Sequence, residues 1–559
     1  MRFTCFAFLL GAACTYAGDP ASIPEDQGPA LLSYDEIREL YDTDPPAPPL
    51  VHKLNALLTT PFVNNEAFRR GVGPLKPQIP NLGASLVVAQ WNIERGLEFD
   101  AVRLALSDPK SFNGLLEDRG SKIDAEERAR VLEQVTTLKQ ADVIVLNEVD
   151  WGINRTLFRN VVDELAKAFE MNYAYGVEFV EVDPITMGID QKVIVQEVAR
   201  AYSMPGDSKE EAIARTKIIM TPDPARYRGL HGTAILSRYA VTDVRLIPFA
   251  FQPHDWYADE KKRTSQIEKA EGKLSVLAFK EQLLRQVRRG GRMILMADLV
   301  DDDLPSGRVT VVATHLEDLA TPRKRRMQME ELLDRIRGID HPVILAGDMN
   351  TSTHEGLPIG LKRLLRQRFG SGKWWAKEAA TEAIKYATPA GWFYDVSHTL
   401  IGFARKIDDP TERSIPLFGE NREAKFFHVL EDFRFDDGGA FDFRGDSSHA
   451  WEGRSGKLAN SNERGIKGFV PTEELDRTYG PIGWYKLDWI FVKPPALTSA
   501  SARRQPYRFA PHLGRTMRRL NHSIPGRISD HNAITVTLPL QEPAPDRDTR
   551  NTGYKTAFH

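Results

Sequence analysis

The chain has 559 residues, of which 42% are hydrophobic and 27% are charged. This is an ordinary globular composition, with enough apolar side chain to fill a large buried core. The 74 basic and 77 acidic residues leave a formal net charge of −3. That balance excludes a protein that is basic overall and coats nucleic acid, but it allows a local basic groove.

The first twenty residues have the pattern of a secretory signal. Arg2 precedes an apolar run over residues 3–13, and small residues follow at positions 15 and 17. We therefore predict a signal peptide over residues 1–17 and a secreted or periplasmic protein. The only cysteines, Cys5 and Cys14, lie inside this segment. A lipid anchor on Cys14 is the second interpretation, although Gly11 stands where a lipoprotein signal usually has a branched apolar residue.

The segments next to both ends of the chain differ from its centre. Residues 18–80 are rich in proline, most clearly over residues 45–49. Because proline runs hold a chain open and stiff, we predict an extended N-terminal arm that packs onto the main body. Two short amphipathic pieces lie near residues 34–41 and 50–58. Residues 541–559 are polar without an apolar period, which predicts a disordered tail. No run after the signal approaches about 18 apolar residues, so we expect no stable membrane span.

Strand-like and helix-like patterns alternate between these ends. Short apolar runs predict buried strands at residues 85–91, 142–146, 232–237, 292–297, 309–314, 343–346, 487–492 and 533–538. Apolar residues at helical spacing predict helices at residues 124–138, 157–169, 265–287 and 322–336. This alternation indicates layered α/β packing. Long insertions near 181–226 and 395–481 interrupt it, and loops of this length are usually functional or mobile.

One pattern occurs twice along the chain. A helical stretch, a short turn and a buried strand end at Glu148, and the same succession ends at Asp348. The ends of such strands are where α/β folds place ligands. Two equivalent halves predict two packed sheets with a site between their edges.

Further polar residues stand at the ends of the other predicted strands. They are Asn92, Glu94, His315, Asn350, Asp488, Asp530 and His531. Each one alone is more typical of a helix cap, a turn or a structural histidine. Asp488 is the exception, because a buried acid in an apolar strand needs a cation, a histidine or a metal beside it. Taken together in this order, the residues indicate a site.

This ordered set resembles the motifs of the endonuclease/exonuclease/phosphatase superfamily, which includes deoxyribonucleases, abasic-site endonucleases, sphingomyelinases and inositol-polyphosphate phosphatases. The matching motifs are Trp91-Asn92-Ile93-Glu94, Leu146-Asn147-Glu148, His231-Gly232-Thr233-Ala234-Ile235-Leu236-Ser237-Arg238, Thr314-His315-Leu316, Gly347-Asp348-Met349-Asn350, Leu487-Asp488-Trp489-Ile490 and Ser529-Asp530-His531. The resemblance runs from about residue 85 to residue 538. It implies an α/β fold, a four-layer α/β/β/α sandwich of two packed mixed sheets with long loop insertions, as a catalytic domain over residues 81–540.

The resemblance also implies a metal site. Its ligands would be Glu148, Asn92, Asp530 and Glu94. Oxygen ligands of this kind suit Mg²⁺ or Mn²⁺, and the sequence has no cysteine or clustered-histidine spacing for zinc. The family often has an asparagine where Thr233 stands. Members of the family also contact phosphate through a tyrosine or an arginine, and Tyr175 and Arg228 are the candidates for that contact here.

The catalytic residues implied by the resemblance are His531, Asp488, Asp348, Asn350 and His315. Asp488 would pair with His531 and stabilise its protonated ring. Asp348 and Asn350 would position or deprotonate the attacking water, while His315 and Asn350 would donate hydrogen bonds to phosphate oxygens. Whether His531 or Asp348 takes the proton from water stays open at this point.

We therefore expect a secreted, divalent-metal-dependent hydrolase of phosphate esters, first of all a nuclease-like phosphodiesterase. A phosphomonoesterase or a phospholipid phosphodiesterase using the same site is the alternative, so the substrate is a nucleic acid, a nucleotide or a phospholipid head group. The basic run at 323–326 and the aromatic residues over 374–394 select none of these. A non-catalytic binding protein would be expected to lose Glu148 or His531. A glycosidase using Glu148 and Asp348 would leave the histidines without a role.

Overall fold

The computed structural model describes residues 26–80, 82–183, 187, 221, 223–262, 287–351, 414–415, 419–420, 424–442, 471–474, 484–495 and 509–541. The predicted signal peptide, all but the last residue of the helix predicted at 265–287 and nearly all of the predicted tail lie outside these residues. Most of both insertions and the aromatic residues over 374–394 lie outside them as well. Over the described part of the chain, every helix is too short or too polar to cross a membrane.

The strands carry the site and are numbered in chain order. They are β1 Phe62–Asn64, β2 Gln78–Ile79, β3 Gly83–Arg95, β4 Val143–Trp151, β5 Asn172–Glu181, β6 Leu230–Ser237, β7 Val241–Pro248, β8 Arg288–Gly290, β9 Met293–Val300, β10 Arg308–His315, β11 Val343–Asp348, β12 Ser414–Ile415, β13 Gly419–Glu420, β14 Glu473–Glu474, β15 Trp484–Tyr485, β16 Asp488–Lys493, β17 His512–Thr516 and β18 Ile534–Pro539.

The described helices are α1 Tyr34–Asp42, α2 Pro48–Thr59, α3 Glu66–Arg69, α4 Phe99–Ser107, α5 Pro109–Asp118, α6 Ala125–Lys139, α7 Val161–Phe169, α8 Pro322–Ile336, α9 Ala424–Asp432 and α10 Arg518–Asn521. Local chemistry sets where they begin. The side chain of Asp124 accepts a hydrogen bond from the backbone N–H of Glu127 and so caps α6. Pro322 opens α8 at the first helical position, where its missing N–H costs nothing.

The strands form two large sheets. The first has the order β1-β5-β6-β4-β3-β18-β17, with β2 added to β3 and β8 added to β5, and the second has the order β16-β11-β10-β9-β7. The pairs β3–β4 and β10–β11 are parallel, and the other pairs within the two sheets are antiparallel. The two parallel pairs contain the helix–turn–strand pattern that the sequence repeats.

Three apolar clusters separate four layers. The central cluster joins the facing sides of the two sheets, with Val88 and Val145 from the first and Val311 and Ile344 from the second. A second cluster packs α4 to α7 on the outer face of the first sheet. A third packs α8 and α9 on the outer face of the second sheet. This arrangement confirms the predicted α/β/β/α sandwich.

The N-terminal arm is helical over part of its length, so the prediction of an extended conformation is wrong. The proline run interrupts the helical pattern without abolishing it, because Pro48 occupies the first position of α2. A capping box of Ser33 and Glu36 starts α1. The Arg289 guanidinium holds the arm by donating hydrogen bonds to the carbonyl of Leu40 and the side chain of Asp44.

Two further corrections concern elements close to the site. The helix predicted at 157–169 begins only at Val161, because Leu157 and Phe158 adopt left-handed backbone angles, with φ of 56° and 60°. Strand β5 was not predicted, although it is buried along its whole length. Its inner face carries Gly176 and Glu178 in place of apolar residues, so its sequence has no apolar run.

Candidate active site

Three polar side chains meet at one end of the second sheet because of strand register. Parallel pairing sets His315 of β10 opposite Asp348 of β11, and antiparallel pairing sets Asp348 opposite Asp488 of β16. The residues two positions away along each strand lie in the core between the sheets. Since side chains two positions apart share a face, all three polar residues face the first sheet.

The first sheet contributes its residues through two bulges. Asn92 of β3 and Asn147 of β4 are direct neighbours across a parallel pair, and immediately beyond them the pairing shifts. The residues at the bulges, Glu94, Arg95 and Glu148, have φ values of 47°, 69° and 54°. Residues other than glycine rarely adopt this left-handed backbone conformation, which is strained and is found most often at functional sites. The bulges therefore turn Glu94 and Glu148 out of the regular alternation.

His531 and Asp488 form a buried ion pair. The Nδ1 atom of His531 lies 2.8 Å from Oδ2 of Asp488, and Gln90 donates a hydrogen bond to the other carboxylate oxygen at 2.9 Å. Burial by itself lowers the pKa of His531, but the charges of Asp488 and Asp348 outweigh it and raise that pKa well above its usual value. Burial likewise opposes ionisation of Asp488, yet His531 lowers its pKa. The pair is an imidazolium beside a carboxylate.

Asp348 lies between the two histidines. Its Oδ2 atom is 3.4 Å from Nε2 of His315 and 3.7 Å from Nε2 of His531. Its Oδ1 atom accepts a hydrogen bond from the backbone N–H of Asn350 at 2.8 Å. Burial, reinforced by the charge of Asp488, raises the pKa of Asp348 to about 7 although His531 opposes the shift. A carboxyl group that titrates near neutral pH suits transfer of a proton to or from water.

The predicted metal ligands lie along the neighbouring strand ends. Asn92 donates hydrogen bonds to Oε1 of Glu148 at 3.4 Å and to Oδ2 of Asp348 at 3.2 Å. Its own oxygen accepts from the backbone N–H of Glu94 at 3.1 Å, and the Glu94 carboxylate accepts from the backbone N–H of Asp530 at 3.0 Å. Asn92 thus links the acidic strand ends to Asp348. The donor set is made of oxygen atoms, which suits a hard cation.

The two remaining predicted residues make well-defined contacts. Asn350 has a φ of 47° and donates through its side chain to the carbonyl of Leu316 at 2.9 Å. Nδ1 of His315 lies 2.8 Å from the guanidinium nitrogen Nη1 of Arg292. Burial lowers the pKa of His315 well below its usual value, and the charge of Arg292 lowers it further.

Sequence reasoning gave no role to several residues that organise this site. Asn147 is buried, and its side-chain oxygen accepts from the backbone N–H of Asp348 at 2.9 Å and from Gln90 at 3.1 Å. Its amide nitrogen donates to Thr233 at 3.0 Å and to the carbonyl of Thr314 at 3.1 Å. Asn147 therefore ties the two sheets together at the site. A polar residue at an inward position of an apolar strand was the available signal.

Among the described residues, the other sequence candidates make hydrogen bonds to backbone carbonyls and not to the catalytic side chains. The Tyr175 ring lies in the cluster beneath the helices of the first sheet, and its hydroxyl donates to the carbonyl of Val149. Arg228 donates to the neighbouring carbonyl of Tyr227. Within the basic run at 323–326, Arg325 is buried and donates to the carbonyl of Ala320, so the run is not a continuous basic surface.

Comparison with solved structures gives distant likenesses. An endonuclease/exonuclease/phosphatase protein from Beutenbergia cavernae is 15% identical, with 81% of this chain and 71% of that chain covered and a TM-score of 0.34. A 3'-5' exonuclease from Neisseria meningitidis is 12% identical, with 81% and 99% covered and a TM-score of 0.34. The human nocturnin catalytic domain is 12% identical, with 81% and 93% covered and a TM-score of 0.29. No curated protein matches the sequence.

The sequence model of the Endonuclease/Exonuclease/phosphatase family matches residues 89–531. This span takes in most of the 559 residues and all of the polar strand ends that meet at the site. The chain belongs to the endonuclease/exonuclease/phosphatase family and has the fold of its phosphoesterases.

Proposed function

We propose that the protein is a divalent-metal-dependent hydrolase of phosphate esters, and first of all a nuclease-like phosphodiesterase. The observation that carries this proposal is the meeting of two kinds of group at one sheet edge. A titratable acid, Asp348, lies 3.7 Å from the imidazolium of His531 and accepts a hydrogen bond from Asn92, which in turn contacts Glu148. A phosphoryl group needs both an activated water and stabilisation of its growing negative charge.

Glu148 is the proposed principal metal ligand, together with Asn92, Glu94 and Asp530. Glu148 supports this assignment because its side chain is one-quarter exposed, and the nearest cation, Nε of Arg95, lies 3.9 Å away. A second carboxylate, Glu94, is held on the neighbouring bulge. Bound Mg²⁺ or Mn²⁺ would neutralise charge on the phosphate and on the leaving oxygen.

The protein groups divide the remaining work. Asp348 takes the proton of the attacking water, which its pKa of about 7 suits. His531, kept protonated by Asp488, donates to a phosphoryl oxygen and stabilises the charge that develops there. No covalent intermediate is required.

A substrate screen tests the proposal. Purified protein is assayed on DNA, RNA, phospholipids, bis-p-nitrophenyl phosphate and p-nitrophenyl phosphate, each with Mg²⁺ and with EDTA. We expect turnover of a diester that EDTA abolishes and that Glu148→Ala or His531→Ala lowers by orders of magnitude. Preference for the monoester or for phospholipid would replace the nuclease-like assignment. Unchanged activity in both variants would remove the proposed site.

We also propose that the protein is exported. The support is the charged start, the apolar run and the small-residue end of residues 1–17. Sequencing of the N-terminus after expression in a secreting host should place cleavage after Ala17. An intact Met1 in the mature protein would contradict export by this signal.

A further inference from the structure

A closed ring of contacts crosses both sheets beneath the proposed site. Its members are Asp348, Asn147, Thr233, Glu178, Arg292 and His315. Five of its six links are hydrogen-bond distances of 2.6 to 3.0 Å, and the sixth is the 3.4 Å approach of His315 to Asp348. We call this set the cross-sheet contact loop.

Arg292 is the most firmly held member of the cross-sheet contact loop. It is 3% exposed and directly precedes β9. Its backbone N–H donates to the side chain of Gln252, and its carbonyl accepts from the same side chain. The guanidinium is surrounded by the carboxylates of Glu178, Glu317 and Asp318, at distances of 2.7, 3.6 and 3.7 Å. Arg292 is therefore a fully charged group with little freedom to move.

The chemistry of Arg292 determines which ring nitrogen of His315 carries the proton. An arginine side chain has only donors and stays protonated in proteins. Its Nη1 atom carries two N–H bonds and has two acceptors within reach, Oε2 of Glu178 at 2.7 Å and Nδ1 of His315 at 2.8 Å. Nδ1 must then offer a lone pair, which leaves the imidazole proton on Nε2.

We propose that Arg292 is a positioning residue that holds His315 as a neutral hydrogen-bond donor through Nε2. This N–H faces Asp348 in the free protein and donates to a phosphoryl oxygen when substrate is bound. The part concerning phosphate rests on the proposed function. His315 thereby differs from His531, whose Nδ1 lies 2.8 Å from the carboxylate of Asp488. Burial and the charge of Arg292 both lower the pKa of His315, in agreement with a neutral ring.

The tautomer is measured on the wild-type protein, and a variant is needed only to assign the signals. The protein is labelled with ¹⁵N-histidine, and the ring nitrogens are recorded near neutral pH without metal. His315 is assigned by its absence in His315→Gln. We expect a protonated Nε2 and an unprotonated Nδ1. Protonation of Nδ1, alone or together with Nε2, would overturn the proposal whether or not the protein hydrolyses any phosphate.

Kinetics test whether Arg292 acts through His315. Glutamine also presents a neutral N–H donor, so His315→Gln should keep activity within about 10-fold of wild type while His315→Phe loses more. Arg292→Met should lower kcat by about 10-fold to 100-fold in the wild-type background but by less than about 3-fold in the His315→Gln background. An equal loss in both backgrounds would show that Arg292 does not act through His315.

Arg308→Met is the matched control. Arg308 begins β10, the strand that ends at His315, and lies 3.5 Å from the carboxylate of Asp298. We expect Arg308→Met to leave kcat unchanged and to leave the His315 signals in place. A comparable loss of activity in this control would mean that removing any arginine from β10 and its neighbours disturbs the site.

Discussion

Replacing Asp488 by asparagine should convert His531 from a charged to a neutral ring. Gln90 donates to Oδ1 of Asp488 at 2.9 Å and to Asn147 at 3.1 Å, so its amide is fixed. An asparagine at 488 would keep its oxygen toward Gln90 and turn its own N–H₂ toward Nδ1 of His531. The ring would then accept at Nδ1 and lose the charge that Asp488 supports.

The expected loss follows from the interaction that disappears. A hydrogen bond to a charged group contributes about 1.5 to 3 kcal/mol, which is about 10-fold to 150-fold in rate. Loss of acid–base or electrostatic catalysis by a positioned group extends this to about 10²-fold to 10⁴-fold. We expect Asp488→Asn to lower kcat by at least about 100-fold with little change in KM, because the charge acts on the transition state.

The assay is hydrolysis of bis-p-nitrophenyl phosphate with Mg²⁺, with stability followed in parallel by thermal unfolding. Asp298→Asn is the control, because Asp298 is a buried carboxylate that accepts from Thr310 at the far end of the second sheet. The control should keep its kcat. Activity of Asp488→Asn within about 3-fold of wild type would refute the role given to the ion pair.

Three further predictions concern the metal and the pH dependence of stability. EDTA should remove activity, and Mg²⁺ should restore it in wild type but not in Glu148→Gln; restored activity in the variant would contradict the ligand assignment. Burial raises the pKa of Asp142 from 3.8 to about 6, so the folded state binds the extra proton and stability falls as pH rises through this window. Asp142→Asn should therefore stabilise the protein at pH 7 by up to about 3 kcal/mol, whereas a variant no more stable than wild type at pH 7 would contradict this. Burial opposes ionisation of Glu474, but His522 and Arg518 outweigh it and lower its pKa from 4.5 to about 2. Its stabilisation, about 2 to 3 kcal/mol against Glu474→Gln, should be complete above the unfolded pKa and disappear as pH falls toward 2; a difference that persists in acid would count against the ion pairs.

The layered fold was predictable from local sequence patterns. In the structure, the register between neighbouring strands then brings the polar strand ends together at the site. The apolar runs that end at Glu148 and Asp348 defined two strands and the helices before them, because a period of two or of 3.6 is visible in a single segment. The bulges that turn Glu94 and Glu148 into the site were not predictable. They depend on how neighbouring strands pair, which no single segment encodes.

The cross-sheet contact loop shows a second limit of prediction from sequence. His315 was singled out because it ends an apolar strand. The residue that sets its proton, Arg292, lies 23 residues earlier, at the start of another predicted strand, and its sequence context gave it no role. Glu178 was missed because β5 has no apolar run on its inner face. Buried charges of this kind are recognised only once their partners are known, since an unpaired buried charge is too costly to persist.

Anomalous diffraction from crystals soaked in Mn²⁺ tests the central claim most directly. We predict a peak about 2.1 Å from a carboxylate oxygen of Glu148, at the sheet edge that also holds Asp348 and His531. A protein that hydrolyses phosphate esters but shows no peak near Glu148, or binds Mn²⁺ only elsewhere, would contradict the proposed metal site and the mechanism built around it.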